Sequence, residues 1–275
     1  AATYDGLHKV ILNRNPNNFG LGGHVNKIMG LSSGKYIVGA AGDDISKPER
    51  VFNTVNAFLT AQEKILSVWS SARYIDAAGK LIERPFPKPT APYSDRSMAQ
   101  NVCPVIGATH AWDRTVFNFF GPLDQGVMFE DNAISFRSYL IGEIKFLDED
   151  LVYYRVHDNN ITNYTKKTDS VELYRAAVKR TYWAMNGTDQ RLRDLESAKI
   201  NYTHFDKDYG GLHTEIGKLR LKIERRYHAY KKFPKISGQD VLLCMKDIVL
   251  TKILLRAIKC RFESNLPSSI PKGKS

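Results

Sequence analysis

The sequence has few cysteines: Cys103, Cys244 and Cys260 are the three among its 275 residues. Their odd number and wide spacing fit neither a disulfide framework nor the closely spaced ligands of a zinc site. A small disulfide-stabilised secreted domain and a zinc-finger protein are therefore excluded. The cysteine usage predicts a reducing compartment.

Long apolar runs are also missing. No uninterrupted apolar stretch approaches the roughly 18 residues needed to span a bilayer, and residues 1–6 lack the basic and apolar regions of a signal peptide. There is no low-complexity tract and no repeat of fixed period. With 43% hydrophobic and 25% charged residues, the composition predicts a globular protein of the cytoplasm, either soluble or held peripherally at the inner face of the cell membrane.

Positive charge is concentrated in the rear part of the chain. Residues 160–275 carry 24 Lys and Arg against 12 Asp and Glu, a net charge of +12, whereas residues 1–159 have a net charge of −1. This asymmetry favours an anionic partner, such as a phospholipid surface, a lipid-diphosphate acceptor or nucleic acid. Nucleic acid is the least favoured, because Tyr227 and Tyr230 offer little of the interleaved aromatic surface that it requires.

The front part alternates between strand and helix patterns. The predicted strands are residues 9–12, 35–41, 65–69, 105–109, 144–147 and 151–155. The predicted helices are residues 21–31, a helix capped by Ser46 that buries Val51, Val55, Phe58 and Leu59, and a short helix ended by Gly142. Such alternation predicts a three-layer α/β sheet, with ligands beyond the carboxyl ends of strands.

Beyond Asn159 the pattern changes to helices alone. They are predicted near residues 171–185, 190–200, 212–232 and 240–263. The sequence thus predicts two units, a front domain of residues 1–159 and a basic helical region of residues 160–275. In the last helix, a stripe formed by Lys252, Arg256, Lys259 and Glu263 either packs on the front domain or lies on an anionic membrane.

Two pairs of neighbouring carboxylates stand out. Asp43-Asp44 directly follows a predicted strand, where its oxygens can hold a divalent cation that clamps a diphosphate. Glu130-Asp131 follows a glycine-bearing loop at the start of a predicted helix, where one carboxylate can act as a general base. Either pair can instead be an ordinary helix N-terminus, which favours negative charge.

Several motifs in register resemble the central block of family 2 glycosyltransferases. They comprise residues 17–20 with Asn26, residues 33–37, 41–45 and 48–50, and further on Gly121, Glu130-Asp131 and residues 154–157 with Asn160. The resemblance covers about residues 3–162. It implies a GT-A fold, a nucleotide-sugar donor, a Mg²⁺ or Mn²⁺ cofactor, and transfer with inversion at the anomeric carbon.

The resemblance also implies roles for individual residues. Asp43 and Asp44 would hold the metal, Asp131 would be the catalytic base, and Glu130 would position the acceptor or cap its helix. Asn26, Arg155 and His157 would contribute to cofactor binding, with His157 also reaching the metal. A histidine hydrogen-bonded within a loop is the alternative for His157.

The sequence departs from the family pattern at two places. Ala41 stands where the metal-binding motif often begins with aspartate. Family members also begin with a strand-helix-strand unit that forms the nucleoside pocket, and this sequence starts just after it. The expected fold is therefore a GT-A type mixed sheet that is incomplete at its amino end, followed by an all-helical segment.

The function implied is that of a hexosyl- or N-acetylhexosaminyl-transferase. It would move a sugar from a nucleotide-diphosphate donor to a glycan or lipid-linked acceptor, in bacterial surface polysaccharide synthesis. Two rival hypotheses remain: a sugar-nucleotide nucleotidyltransferase, whose sheet is related, and a non-catalytic module that binds glycan or nucleic acid through the basic region.

Overall fold

A computed structural model describes residues 6–102, 105–157 and 170–232. Its strands are β1 (Tyr36–Val38), β2 (Ile45–Ser46), β3 (Ile65–Ile75), β4 (Leu81–Ile82), β5 (His110–Asp113) and β6 (Glu143–Arg155). Its helices are α1 (Gly20–Leu31), α2 (Arg50–Leu59), α3 (Asp95–Ala99), α4 (Thr115–Phe120), α5 (Glu130–Ile141), α6 (Ser170–Asn201) and α7 (Tyr209–Lys232). A 3₁₀ turn, Gly107–Thr109, precedes β5.

The strands form one mixed sheet in the order β1-β5-β3-β6-β2, and β4 pairs with β3 as a hairpin. The long strands β3 and β6 run parallel, and Ile75 lies opposite Arg155 at their ends. Because β5 is antiparallel to both β1 and β3, the strands β1, β3 and β6 all point the same way. Their carboxyl ends, together with the amino end of β5, form one side of the sheet, called here the carboxyl edge.

Helices cover the sheet on both faces. On one face Ala57 and Phe58 of α2 pack against Val68 and Ala111. The other face holds the main hydrophobic core, in which residues of α5 such as Leu140 pack among side chains of the central strands. The predicted mixed α/β class is confirmed, with helices in layers on either side of the strands.

The strand predicted at residues 9–12 is wrong. The segment belongs to no strand, and Val10, Ile11 and Leu12 are 50%, 47% and 72% exposed. β1 lies at the edge of the sheet, with β5 on its one paired side among the described strands. A short apolar run forms a strand only where a neighbour pairs with it, and these residues have no such neighbour in the described structure.

The predicted start and buried side of α2 are also wrong. Ser46 lies in β2 and the helix begins at Arg50. Val51 and Leu59, which were expected to be buried, are 57% and 66% exposed. The buried residues keep helical spacing but start one residue earlier, at Arg50, Thr54, Ala57 and Phe58. The buried side of α2 begins with Arg50. A prediction from hydrophobic periodicity counts only apolar residues and therefore places the buried side on Val51 instead.

Other predicted boundaries change as well: the strand expected at residues 35–41 ends at Val38, and the strand expected at residues 65–69 extends to Ile75. Residues 107–109 form the 3₁₀ turn, so the strand expected at residues 105–109 begins instead at His110. The two extended pieces at residues 144–147 and 151–155 are one strand, β6, with bulges against β3. The first two rear helices are likewise one helix, α6, of 32 residues. The fourth predicted rear helix, residues 240–263, and the boundary at Asn159 lie outside the described residues.

The rear helices α6 and α7 pack on the front part. Arg137 of α5 makes two bonds to Asp194 of α6, at 2.9 and 3.0 Å, and both side chains are buried. Leu195, Leu212 and Ile216 belong to the main core of the sheet. Over the described parts of the chain, no helix combines the length and apolar character that crossing a bilayer requires.

Candidate functional site

The carboxyl edge brings three chain segments together. Val38 pairs with Ala111, so the segment that leaves β1 passes the segment that enters β5. Gly39 N–H donates to the carbonyl of His110 at 3.0 Å. On the far side, Ile45 of β2 pairs with Tyr153 near the end of β6. The turn between β1 and β2, which contains Asp43 and Asp44, therefore lies beside the end of β6.

Four of the predicted residues meet in this turn: Asp43, Asp44, Arg155 and His157, called here the Asp43 cluster. Arg155 N–H donates to Asp44 Oδ1 at 2.7 Å, and Arg155 Nε donates to the carbonyl of Asp43 at 2.8 Å. His157 Nε2 lies 2.8 Å from Asp43 Oδ2. The two aspartates lie more than 110 positions before Arg155 and His157 in the sequence, and the pairing of β2 with β6 brings them together.

The two aspartates of the cluster differ in their surroundings. Burial raises the pKa of Asp44, and the charge of Asp43 adds to this, whereas the Arg155 N–H bond and the charge of Arg50 lower it. Asp44 thus anchors the end of β6 and does not cap a helix. The side chain of Asp43 is 41% exposed and that of His157 is 27% exposed, so both can reach a ligand from solution.

The Asp43 cluster suits a metal that takes only part of its coordination from protein. Asp43 Oδ2 and His157 Nε2 can serve as two donor atoms when Nε2 carries no proton, and the residues described here contain no group of three or more His, Cys, Asp or Glu placed to hold an ion. Mg²⁺ in nucleotide-binding sites commonly uses one or two carboxylates together with water and substrate phosphates. Carboxylate oxygen also suits Mn²⁺. Two protein donors beside an open surface therefore fit such an ion when a diphosphate completes its shell.

The second acidic pair, Glu130 and Asp131, occupies the first turn of α5, and is called here the carboxyl pair. Gly107 N–H donates to Asp131 Oδ2 at 3.1 Å, and Asn132 N–H donates to Asp131 Oδ1 at 2.8 Å. The predicted position at a helix N-terminus is confirmed. The partial positive charge of the helix end favours carboxylates there.

The two members of the carboxyl pair differ in the interactions that shift their pKa values. Burial and the neighbouring charge of Asp131 raise the pKa of Glu130 to about 7. Burial also raises the pKa of Asp131, but the N–H bonds from Gly107 and Asn132 oppose that rise. Since backbone donors stabilise the ionised form, the two N–H bonds favour the carboxylate of Asp131 against the effect of burial.

Sequence reasoning missed Gly107, which lies against the carboxyl pair. A Cβ atom at this position would come within 2.8 Å of Glu130 Oε1 and 3.5 Å of Asp131 Oδ2. The absence of a side chain lets the backbone approach both carboxylates. The available signal was a glycine inside an otherwise apolar run, which often marks a close backbone approach.

Arg50 links the two acidic groups and was given no role from sequence. It is 2% exposed. Its guanidinium donates to the carbonyl of Gly39, to the carbonyl of Ala108 at 2.9 Å and to Ser46 Oγ at 2.8 Å. Gly39 leads into the Asp43 turn, and Ala108 adjoins the glycine that holds Asp131. One buried cation therefore ties both turns to the same edge of the sheet.

Asn26 is placed apart from the Asp43 cluster. Its amide donates to the carbonyl of Leu123 at 2.6 Å and accepts from the N–H of Leu123 at 2.8 Å. Gly22 N–H also donates to Val127 at 3.0 Å. Helix α1 thus supports the loop that leads into the carboxyl pair. Cofactor binding by Asn26 stays a prediction. In the structure, its side-chain amide holds the backbone of Leu123.

Comparison with known proteins gives no family. No family model matches the chain, and no curated protein matches it significantly. The resemblance to family 2 glycosyltransferases therefore stays a prediction that rests on the motifs and on the placement of their residues.

Proposed function

We propose that this chain is an inverting, metal-dependent glycosyltransferase of the GT-A type. It would transfer a hexosyl or N-acetylhexosaminyl group from a nucleotide-diphosphate donor to a hydroxyl of a glycan or lipid-linked acceptor. The observation that carries the proposal is the placement of the two predicted acidic pairs. Both lie on the carboxyl edge, and Arg50 contacts the backbone that holds each of them.

The Asp43 cluster is the proposed donor side. Asp43 and His157 would hold Mg²⁺ or Mn²⁺, and the bound cation would supply neutralisation of the charge that grows on the leaving diphosphate. Asp44 and Arg155 have a structural role in this proposal and do not contact the metal. They fix the turn to the end of β6, through bonds at 2.7 and 2.8 Å.

The carboxyl pair is the proposed acceptor side. Asp131 takes the proton from the acceptor hydroxyl while that oxygen bonds to the anomeric carbon, and the bond from this carbon to the diphosphate breaks on the opposite face. Attack from the opposite face inverts the configuration. The hydrogen bonds from Gly107 and Asn132 favour the ionised form of Asp131 and hold its orientation. Glu130, beside it, positions the acceptor.

Further proposals concern the fold, the rear helices and the biological setting. We propose that the sheet is a GT-A sheet and that the basic rear helices meet the acceptor or an anionic membrane surface peripherally. The proposed setting, bacterial surface polysaccharide synthesis, rests on the motif resemblance alone. The buried Arg137–Asp194 pair supports a rear region that works as part of the same unit.

A panel of nucleotide sugars tests the proposal. The protein would be screened with and without Mn²⁺ for donor hydrolysis and for a shift in thermal midpoint. The proposal predicts stabilisation by one nucleoside diphosphate only when the metal is present. Pyrophosphate exchange would instead support a nucleotidyltransferase, and no response to any nucleotide would support a binding module.

A further inference from the structure

The loop that enters the carboxyl pair rests on the middle of α6. The ring of Phe129, directly before Glu130, meets the ring of Trp183 edge-on, with 6.2 Å between centroids. The Arg180 guanidinium lies 5.1 Å from the centroid of Phe129. Asn186 Nδ2 donates to the carbonyl of Gly126 at 3.2 Å. One face of α6 therefore borders the proposed acceptor side.

This face combines aromatic rings with positive charge. Lys179 Nζ lies 4.9 Å from the centroid of the half-buried Trp183, and Lys179 itself is exposed. The part of the half-buried Trp183 ring that solvent reaches is apolar and suits the C–H face of a sugar ring. A lysine beside it attracts a carboxylate or a phosphate.

Some cations on these helices are paired with carboxylates, whereas the described contact of Lys179 is with an aromatic ring. Arg193 pairs with Asp124, and Arg220 pairs with Asp189 and Glu224. The described contact of Lys179 is the ring of Trp183, which does not neutralise it. Residues 170–232 as a whole hold 14 Lys and Arg against 8 Asp and Glu, so the surroundings are also positive. An anionic ligand is therefore favoured.

We propose that Phe129, Lys179 and Trp183 form an acceptor subsite for a sugar that carries a negative charge. Trp183 packs against the ring of the sugar, and Lys179 binds its carboxylate or phosphate. Phe129 joins this surface to Glu130, so that a bound sugar presents a hydroxyl to the carboxyl pair. The inference rests on the proposed glycosyl transfer and names the acceptor class for that same site.

Kinetics with three acceptors tests the subsite. The acceptors are an oligosaccharide with a uronate terminus, a monosaccharide diphosphate with a short alkyl chain, and a neutral oligosaccharide. Lys179→Ala is expected to raise the acceptor KM about tenfold for charged acceptors and to leave the neutral one unchanged. Comparing the two charged acceptors shows which anion is preferred. Trp183→Ala is expected to raise the KM for all three, and Trp183→Phe to restore most of the affinity.

A matched control lies on the neighbouring helix. Lys231 stands over Tyr227 at the same distance, 4.9 Å, and Tyr227 contacts Tyr182 and not Phe129. Lys231→Ala should leave every acceptor KM unchanged. Donor KM and donor hydrolysis without acceptor should stay at wild-type values in all variants, which shows that the fold and the donor side are intact.

The outcomes separate this inference from the proposed function. Unchanged acceptor KM values in Lys179→Ala and Trp183→Ala, with normal transfer by the wild type, would overturn the subsite alone. If the wild type processes no donor, the proposed function fails. Calorimetric titration of the uronate oligosaccharide then decides the subsite, because binding lost in Trp183→Ala supports it and binding unchanged in that variant overturns it.

Discussion

The two acidic pairs of this chain are alike in composition and opposite in setting. Asp43 and Asp44 lie in a turn between two strands, where Asp43 faces His157 at 2.8 Å and is 41% exposed. Glu130 and Asp131 lie in the first turn of a helix, where Asp131 accepts two backbone N–H bonds. Under the proposed function, these surroundings would assign Asp43 to a cation and Asp131 to a proton.

Asp131→Asn should have the largest effect on transfer. The amide keeps the shape of the side chain but cannot take a proton, so the rate should fall about 10²- to 10⁴-fold. The free energy of unfolding should change little, because removal of a buried charge offsets the loss of one of the two backbone N–H bonds to this side chain. Transfer rates and chemical denaturation measure the two quantities.

Asp148→Asn is the control for this change, since Asp148 is an exposed carboxylate paired with Lys88. Its transfer rate should match the wild type. Wild-type transfer by Asp131→Asn would show that the carboxyl pair supplies no base, and the contrast between the two acidic pairs would then lose its chemical meaning.

Arg50→Met should destabilise the protein, because Arg50 holds the backbone beside both acidic pairs. The substitution leaves the carbonyls of Gly39 and Ala108 without their buried donor, so unfolding free energy should fall by about 2–4 kcal/mol. Denaturant titration measures this loss. Arg73→Met, at a solvent-exposed ion pair with Glu83, should cost less than about 1 kcal/mol. Equal losses in the two variants would contradict the linking role of Arg50.

Glu130 should make stability depend on pH. Its pKa is about 7 in the folded protein against an ordinary value of 4.5, so the folded protein binds this proton more tightly. The stability that Glu130 contributes is complete below pH 4.5 and is lost as pH rises through about 7, by at most about 3 kcal/mol.

Glu130→Gln removes the ionisable group and tests this assignment. Unfolding free energies at pH 5, 6, 7 and 8 should fall less steeply than in the wild type, and the variant should be more stable than the wild type at pH 8. A wild-type slope in Glu130→Gln would mean that another group is responsible.

Gly107→Ala should have a smaller effect, confined to the carboxyl pair. The new methyl group would press on Glu130 Oε1 at 2.8 Å, and that flexible side chain can move aside. Transfer should fall by about tenfold or less and stability by about 1 kcal/mol. Gly42→Ala is the control on the same edge, since a Cβ there meets nothing within 4 Å. Equal activities of the two variants would argue against contact-dependent positioning of Glu130.

The part of the site nearest in sequence to a strand or helix end was predictable. Glu130 begins α5 as the helix pattern predicted, and Asp43 lies in the turn that follows β1, although the strand ends earlier, at Val38, than its composition indicated. The mixed α/β class followed from the same alternation of patterns.

The contacts between distant segments were not predictable from local patterns. Arg50 resembles a surface residue at the start of a helix, and its burial depends on the carbonyls of Gly39 and Ala108, the second of which is 58 residues away. Residues 9–12 show the reverse case, because their apolar run meets no strand partner in the described structure. Tertiary pairing decided both outcomes.

Binding of a nucleoside diphosphate in the presence of Mn²⁺ tests most directly whether the Asp43 cluster, and not the carboxyl pair, is the donor side. Calorimetric titrations would compare wild type, Asp43→Ala and Asp131→Asn. The account predicts metal-dependent binding by the wild type, loss of about a hundredfold or more in affinity in Asp43→Ala, and unchanged affinity in Asp131→Asn. Unchanged metal-dependent binding by Asp43→Ala would contradict the assignment of this acidic pair to the donor side.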